Sequence, residues 1–470
     1  MSRAAAALAP QVLAARAFKL AITLVRGSGL LPKSIPDGRG DESQLALAPP
    51  QAEVIVYFAD TVNGLYQLRP WYKALRALHR VHRLVIVGTD SRAVKTIRRE
   101  SHLPAYTISH YSSIDLILAK SPVRLALYIN HNAANFSMLA FPQLTHVSIM
   151  HGDSDKVVSV SGQTKAYDFT FVAGQAAVDR LAANLPLFDA PARCVIIGRP
   201  QVDFASPAEG DAGTGGTASG DKNGGRRVEA GRPKEVLPGG GDAGTAGAAS
   251  GDKNGGRRTV LYAPTWEGGT DSAAYSSLAA HGAAIAGGLL ADGRFRVVYR
   301  PHPLTGTRVP DFAAADARVR QMVAAAAKAE PGAGHRVSLG GDAGDELRRA
   351  DLLICDVSSL AIDFLVTGRP LTITVPPDGQ AVVAPTPLLE LTPRLGPEQV
   401  RAVGDFVAGL AAEDTGRSDR AALAEYYLGD TRPGAATALF IEACGRMIAL
   451  TESNQAKLAA ARGGPERGAP

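Results

Sequence analysis

Two histidines in this sequence stand where apolar runs end and stiffened loops begin. In IMHGDSDKVV (149–158), His151 follows Val147, Ser148, Ile149 and Met150 and precedes Gly152 and a cluster of charges and hydroxyls, Asp153, Ser154, Asp155 and Lys156. In VVYRPHP, Arg300 and His302 alternate with Pro301 and Pro303, whose fixed φ stiffens the loop that aims the imidazole. An imidazole with an ordinary pKa of about 6.5 suits proton transfer near neutrality. Taken alone, the first segment also fits a solvated or capped histidine, and the second fits a proline-braced turn.

Two further segments carry groups suited to phosphate. In ADLLICDVSSLAIDFL, an apolar run ends at Asp356, Ser358 and Ser359 fall where a helix is expected to start, and Asp363 lies one turn on from Ser359. Free N–H groups, two hydroxyls and the positive end of the helix dipole suit an anion there. A serine pair at a helix start is also an ordinary cap, and Asp363 also fits electrostatic support of the first turn. In VLYAPTWEGGTD, Pro264, Thr265, Trp266 and Glu267 again follow an apolar run, with Trp266 either lining a pocket or packing.

These segments need a frame, and the apolar runs supply one. EVIVYFAD (53–60), VHRLVIVGTD (81–90), VRLALYIN (123–130), LTHVSIMH (144–151), DFTFVA (168–173) and RCVIIG (193–198) read as strands separated by helical stretches. The pattern resumes in RTVLYAP (258–264), FRVVYRP (295–301), ADLLICD (350–356) and RPLTITV (369–375), with three helical stretches between Glu398 and Leu450. Short apolar runs alternating with helices predict parallel sheets covered on both faces. The expected fold class is therefore α/β: two Rossmann-like domains whose carboxyl edges face a cleft, resembling the outline of GT-B transferases.

The expected organisation is a basic amphipathic segment (1–48), a Rossmann-like domain (49–205), a flexible linker (206–257), a second Rossmann-like domain (258–450) and a disordered tail (451–470). The linker expectation rests on GDAGTGGTASGDKNGGRR (210–227), which returns as GDAGTAGAASGDKNGGRR (241–258) with almost no large apolar residue. The first 36 residues hold Arg3, Arg16, Lys19, Arg26 and Lys33 and no acid, so a helix lying on an anionic membrane face is one reading. A helix packed on its own protein, or a loosely ordered terminus, is the other. The uncharged run from Ala4 to Ala15 is too short to span a bilayer.

Composition narrows the classes. With 46% hydrophobic and 20% charged residues over 470, the chain can build two or three cores. Cys194, Cys355 and Cys444 are too few and too dispersed for a metal cage or disulfide framework. A net charge of +5 without interleaved aromatic and basic residues gives no support to nucleic-acid binding. No serine sits in a G-x-S-x-G elbow, which disfavours a serine hydrolase.

The ordered set HGDSDK, YAPTW, RPHP and DVSSLAIDFL resembles the CDP-glycerol glycerophosphotransferase family, the primases and polymerases of teichoic acid assembly, over roughly residues 140–380. That resemblance implies transfer of glycerol phosphate, or a related polyol phosphate, from a CDP-linked donor to a hydroxyl of a cell-wall, capsular or lipid-linked acceptor on the cytoplasmic membrane face, with release of CMP. It implies His151 as general base, His302 on the donor pyrophosphate, and Ser358 and Ser359 around a donor phosphate. Arg300, Asp363 and Thr265 fall beside the donor, while Gly152, Asp153 and Lys156 serve as acceptor or loop support. Neither a metal nor another cofactor is expected.

The chain departs from the family pattern at several positions. Asp153, Ser154, Asp155 and Lys156 stand where many members have Thr-Pro-Leu-Lys, Met150 replaces an aromatic, and Val357 replaces the tyrosine of D-Y-S-S. Two added carboxylates beside His151 are expected to raise its pKa or to select a different acceptor. A sugar transferase using a nucleotide sugar, and an inactive scaffold of the same fold, are the alternative functions.

Overall fold

The computed structural model describes residues 41–156, 160–203, 256–269, 274–376, 381 and 383–462. The basic segment up to residue 40, nearly all of the duplicated linker and the last eight residues lie outside this set.

Among the described residues, thirteen strands form two sheets. The first contains β1 (Val54–Phe58), β2 (Leu84–Gly88), β3 (Ala105–Thr107), β4 (Leu125–Tyr128), β5 (Thr145–Ser148), β6 (Phe169–Val172) and β7 (Cys194–Ile196), in the order β3-β2-β1-β4-β5-β6-β7. The second contains β8 (Arg258–Ala263), β9 (Phe295–Tyr299), β10 (Arg336–Val337), β11 (Leu352–Cys355), β12 (Leu371–Thr374) and β13 (Arg394–Leu395), in the order β10-β9-β8-β11-β12-β13. All pairings are parallel. Both sheets thus have the Rossmann order, in which the chain reverses direction beside its first strand and leaves a crevice at the carboxyl edge. Two such domains facing one cleft make the expected GT-B arrangement.

The central strands are apolar throughout because helices cover both faces: β1, β2, β4 and β11 are buried at every residue. On one face of the first sheet, Val54, Val56, Phe58, Ile86 and Leu127 meet Ala74, Leu75 and Leu78 of the helix Tyr72–Val81. Each fully buried leucine or isoleucine there contributes about 1.5–3 kcal/mol. The strands β3, β10 and β13 were not foreseen. They are two or three residues long at or near sheet edges, too short for a periodicity to register.

The chain does not divide where the sequence suggests. The last helix, Ala435–Arg462, places Phe440, Ala443, Cys444, Met447 and Ile448 in the core of the first domain, so the chain crosses back after completing the second. Residues 451–462, expected as a disordered tail, continue that helix. Thr451 Oγ1 lies 2.6 Å from Thr145 Oγ1 and 3.1 Å from the Arg124 carbonyl, which ties this stretch to the first sheet. The opening boundary also shifts: Leu45 of the helix Glu42–Leu47 is buried, and Glu42 accepts hydrogen bonds from Ser109 and Ser113. Residues 41–47 therefore belong to the first domain. No helix among the described residues is long and apolar enough to cross a membrane.

Candidate functional site

The cleft is lined by loops that leave the carboxyl ends of strands from both sheets. After β5 the backbone turns through Met150, which adopts a positive φ of 49° despite its side chain. Such a conformation is strained and persists only where the surroundings fix it. Here the indole N–H of Trp71 donates to the Met150 carbonyl at 2.9 Å. The turn presents His151 to the cleft.

His151 Nδ1 is sealed from solvent without a hydrogen-bond partner among the described residues, whereas the residue as a whole is only partly buried. Burial, reinforced by the positive charge of Arg199 and by His131, pushes its pKa down to about 4. The two carboxylates expected to raise it are turned away. Arg180 binds Asp153, and its Nη1 donates to Asp155 at 3.0 Å; Asp155 also accepts from the Tyr427 hydroxyl at 2.7 Å. The imidazole is therefore neutral at pH 7, the form a general base requires.

His302 comes from the opposite domain. The Leu304 N–H donates to its Nδ1 at 3.1 Å, which leaves the proton of the neutral ring on Nε2 as a donor. Burial, followed by the positive charge of Lys156, lowers its pKa to about 3. Trp266 stacks on this ring with centroids 6.2 Å apart and planes at 21°, so the tryptophan acts as a wall of the cleft. Glu267 accepts the N–H groups of Gly306 and Arg308 at 2.9 and 2.8 Å and so fixes the loop carrying His302.

Tyr66 joins the two histidines. Its ring lies edge-on to His151 at 6.2 Å and to His302 at 5.5 Å, linking the domains through one side chain. Around them, Lys156 Nζ donates to Thr265 Oγ1 at 3.1 Å across the cleft and lies 5.3 Å from the centre of the Tyr275 ring. Burial brings its pKa down to about 8. Gly152 faces Ser359 so closely that a Cβ on it would sit 3.3 Å from the serine Cβ, leaving the smallest residue as the best fit. Ser358 holds the N-cap position of Ser359–Phe364 in extended backbone, but its buried hydroxyl makes no cap bond and has no hydrogen-bond partner among the described residues.

Three expected donor residues have structural engagements. Asp363 is held by Arg199, which donates to its two oxygens at 2.8 and 3.0 Å. Arg300 donates to Ser338 Oγ and to the carbonyls of Gly340 and Gly341 at 2.8–3.1 Å, fixing the loop after β10. The Thr265 N–H is taken by the fully buried Asp356 at 2.7 Å. Thus Asp363 and Arg300 brace the loops of the second domain through these partners.

Sequence reasoning brought His151, His302, Gly152, Lys156, Thr265, Ser358 and Ser359 to one cleft but missed Tyr66, His131, Arg180 and Arg199. His131 and Arg199 also follow strand ends, in YINHN and IIGRP, a signal that was present. Tyr66 sits in a short helix with no such mark. Among the described residues, no group of three or more His, Cys, Asp or Glu is arranged to hold a metal ion.

Comparison with known proteins places this geometry in context. Residues 247–379 match the family model described as CDP-Glycerol:Poly(glycerophosphate) glycerophosphotransferase. No curated protein sequence matches the chain. The wall teichoic acid polymerase TagF superposes with a TM-score of 0.50 at 11% identity, covering 87% of this chain and 93% of that one. A TagF variant soaked with CDPG gives 0.50 at 12% identity, covering 87% and 92%. A glycosyltransferase from Rickettsia africae ESF-5 gives 0.47 at 11% identity, covering 85% and 99%. At these identities the likeness is one of fold. Over residues 247–379 the chain is thus similar to the CDP-Glycerol:Poly(glycerophosphate) glycerophosphotransferase family, and over most of its length it shares the fold of the TagF polymerase.

Proposed function

We propose that this protein transfers glycerol phosphate, or a closely related polyol phosphate, from a CDP-linked donor to a hydroxyl of a wall or capsular polymer, releasing CMP. The observation that carries the proposal is the pairing of His151 and His302, one from each domain, on the single ring of Tyr66. Both imidazoles are neutral, and that of His302 keeps its Nε2 as a donor. The family match over residues 247–379, and a structural neighbour, a TagF variant soaked with CDPG, support the choice of donor.

In this reading the acceptor hydroxyl oxygen attacks the β-phosphorus of the donor. As that P–O bond forms, the hydroxyl proton passes to His151 Nε2, and the bond from the β-phosphorus to the bridging oxygen breaks. CMP leaves with the bond's electron pair, and the imidazolium returns its proton to solvent. His302 Nε2–H, Lys156 and the unpartnered Ser358 hydroxyl face the negative charge on the phosphate oxygens. Positioning and charge neutralisation dominate phosphoryl transfer, and a cleft that gathers these groups from both domains fits the task. A polymer acceptor suits a protein working at the membrane face, where the basic segment before residue 41 would bring it.

The test is CMP release from CDP-glycerol with a glycerol phosphate or lipid-linked acceptor. Release by the native chain, lost in His151→Ala and His302→Ala, is the expected result. Release of a nucleoside diphosphate from a nucleotide sugar, with none from CDP-glycerol, would overturn it in favour of sugar transfer. Full cellular function of both folded variants would point to a scaffold.

A further inference from the structure

The donor motifs account for the loops of the second domain and for the loop after β5. They leave unexplained a polar cluster at the crevice between β1 and β4, where the first sheet reverses its strand order. Loops diverge at such a point, and ligands of open α/β sheets bind there. The loop after β1 carries Asp60; the short helix that follows carries Tyr66 and Gln67; the loop after β4 carries Asn130 and His131.

The cluster is built. Asn130 Nδ2 donates to Gln67 Oε1 at 2.6 Å and reaches Asp60 Oδ2 at 3.5 Å. Gln67 Nε2 donates to the Tyr66 hydroxyl at 3.2 Å, and Asn132 Nδ2 ties the two loops together through the Ala59 carbonyl at 3.1 Å. The Asp60 carboxyl sits over Gly64, where any Cβ would collide with it; the glycine thus makes its seat. Asp60 Oδ1 takes the Thr61 N–H at 2.7 Å, which among the described residues leaves Oδ2 with the long contact to Asn130.

His131 supplies the sign of a missing ligand. Both of its ring nitrogens are sealed from solvent, and neither has a hydrogen-bond partner among the described residues. A buried ring in that condition has one donor and one acceptor to offer. Burial holds it neutral, and its proximity lowers the pKa of His151. Tyr66 then connects the cluster to the base, since the same side chain bonds Gln67 and lies against His151.

A carboxylate, an amide and a neutral imidazole match hydroxyl groups. The carboxylate repels phosphate, so the ligand presents its polyol end here and keeps its phosphates elsewhere. We propose that Asp60, Gln67 and His131 bind the hydroxyl-bearing end of the acceptor and read a second hydroxyl beside the one that His151 activates. The proposal rests on the transfer reading and adds a requirement to it: the acceptor terminus is a diol.

Two soluble acceptors test it on the intact chain: a short glycerol phosphate oligomer ending in a vicinal diol, and the same oligomer ending in a single primary hydroxyl. The native protein is expected to bind the diol about tenfold more tightly, the effect of one hydrogen bond to a charged group. Asp60→Asn and His131→Gln are each expected to raise the acceptor KM by about tenfold, move the donor KM less than about twofold, and erase the preference for the diol. Calorimetric titration of both oligomers without donor keeps the two readings apart. Absence of CMP with every donor refutes the transfer reading, while a diol preference in binding still upholds the subsite. Equal binding of the two oligomers by the native protein, or a preference that survives in both variants, overturns the subsite whatever the turnover shows.

Discussion

Arg199, just after β7 in the first domain, grips Asp363 of the second with two hydrogen bonds of 2.8 and 3.0 Å, and both side chains are more than nine-tenths buried. Removing one partner strands a buried charge, whereas replacing both with apolar groups of similar volume does not. Asp363→Asn is therefore expected to cost about 3–5 kcal/mol of stability. Arg199→Met with Asp363→Leu should recover most of it. Urea denaturation measures both. A single variant of native stability that has lost only donor affinity would return Asp363 to the ligand role suggested by its sequence position.

His151→Ala and His302→Ala should each lower kcat for CMP release by roughly 10²–10⁴-fold, the range for positioned proton transfer and charge stabilisation. Both rings border the open cleft, so the variants are expected to keep native circular dichroism. Loss of the folded signal would mean that the rings act as core.

The acid side of the pH profile follows from burial. With pKa values near 4 and 3, His151 and His302 stay neutral across the ordinary working range. The kcat/KM profile of the free enzyme should thus show no loss centred on about pH 6.5, where a solvated histidine would titrate. Stability follows the same sign: the unfolded rings bind protons at about pH 6.5 and the folded rings resist until lower pH, so stability is complete above that value and falls as the pH drops toward 4. Thermal melts between about pH 5 and pH 8 check this, and His151→Gln should flatten the slope.

Lys156 sets the alkaline side. Its pKa near 8 means that it loses its charge just above neutrality, and in the proposed transfer the donor KM should rise there as a cation facing the phosphates is lost. Lys156→Arg keeps the charge and should abolish that rise. An unchanged alkaline limb would assign it to another group.

Flotation with anionic liposomes tests the segment before residue 41. The full chain should float, and a chain starting at Asp41 should not. The cut belongs at Asp41 because residues 41–47 pack on the first domain: Asp41 accepts from the Thr107 N–H at 2.8 Å, and Leu45 is buried. Equal flotation of both chains would rule out membrane attachment through this segment.

The sequence by itself determined the two parallel sheets, since apolar runs such as EVIVYFAD and ADLLICD have only one stable environment, between helices. It also determined where chemistry could sit, because strand ends followed by Gly or Pro mark the loops of a carboxyl edge. Tertiary structure decided which of those side chains are free. Asp363 and Arg300 read as donor-side groups and Asp153 as acceptor or loop support, yet they are engaged by Arg180, Arg199 and the 338–341 loop, partners 27 to 164 residues away in the chain. It also returned the last helix to the first core and brought Tyr66 between two histidines of different domains. Local pattern records burial and backbone preference, whereas a buried charge finds its partner only after the chain has folded, through contacts that no local periodicity encodes.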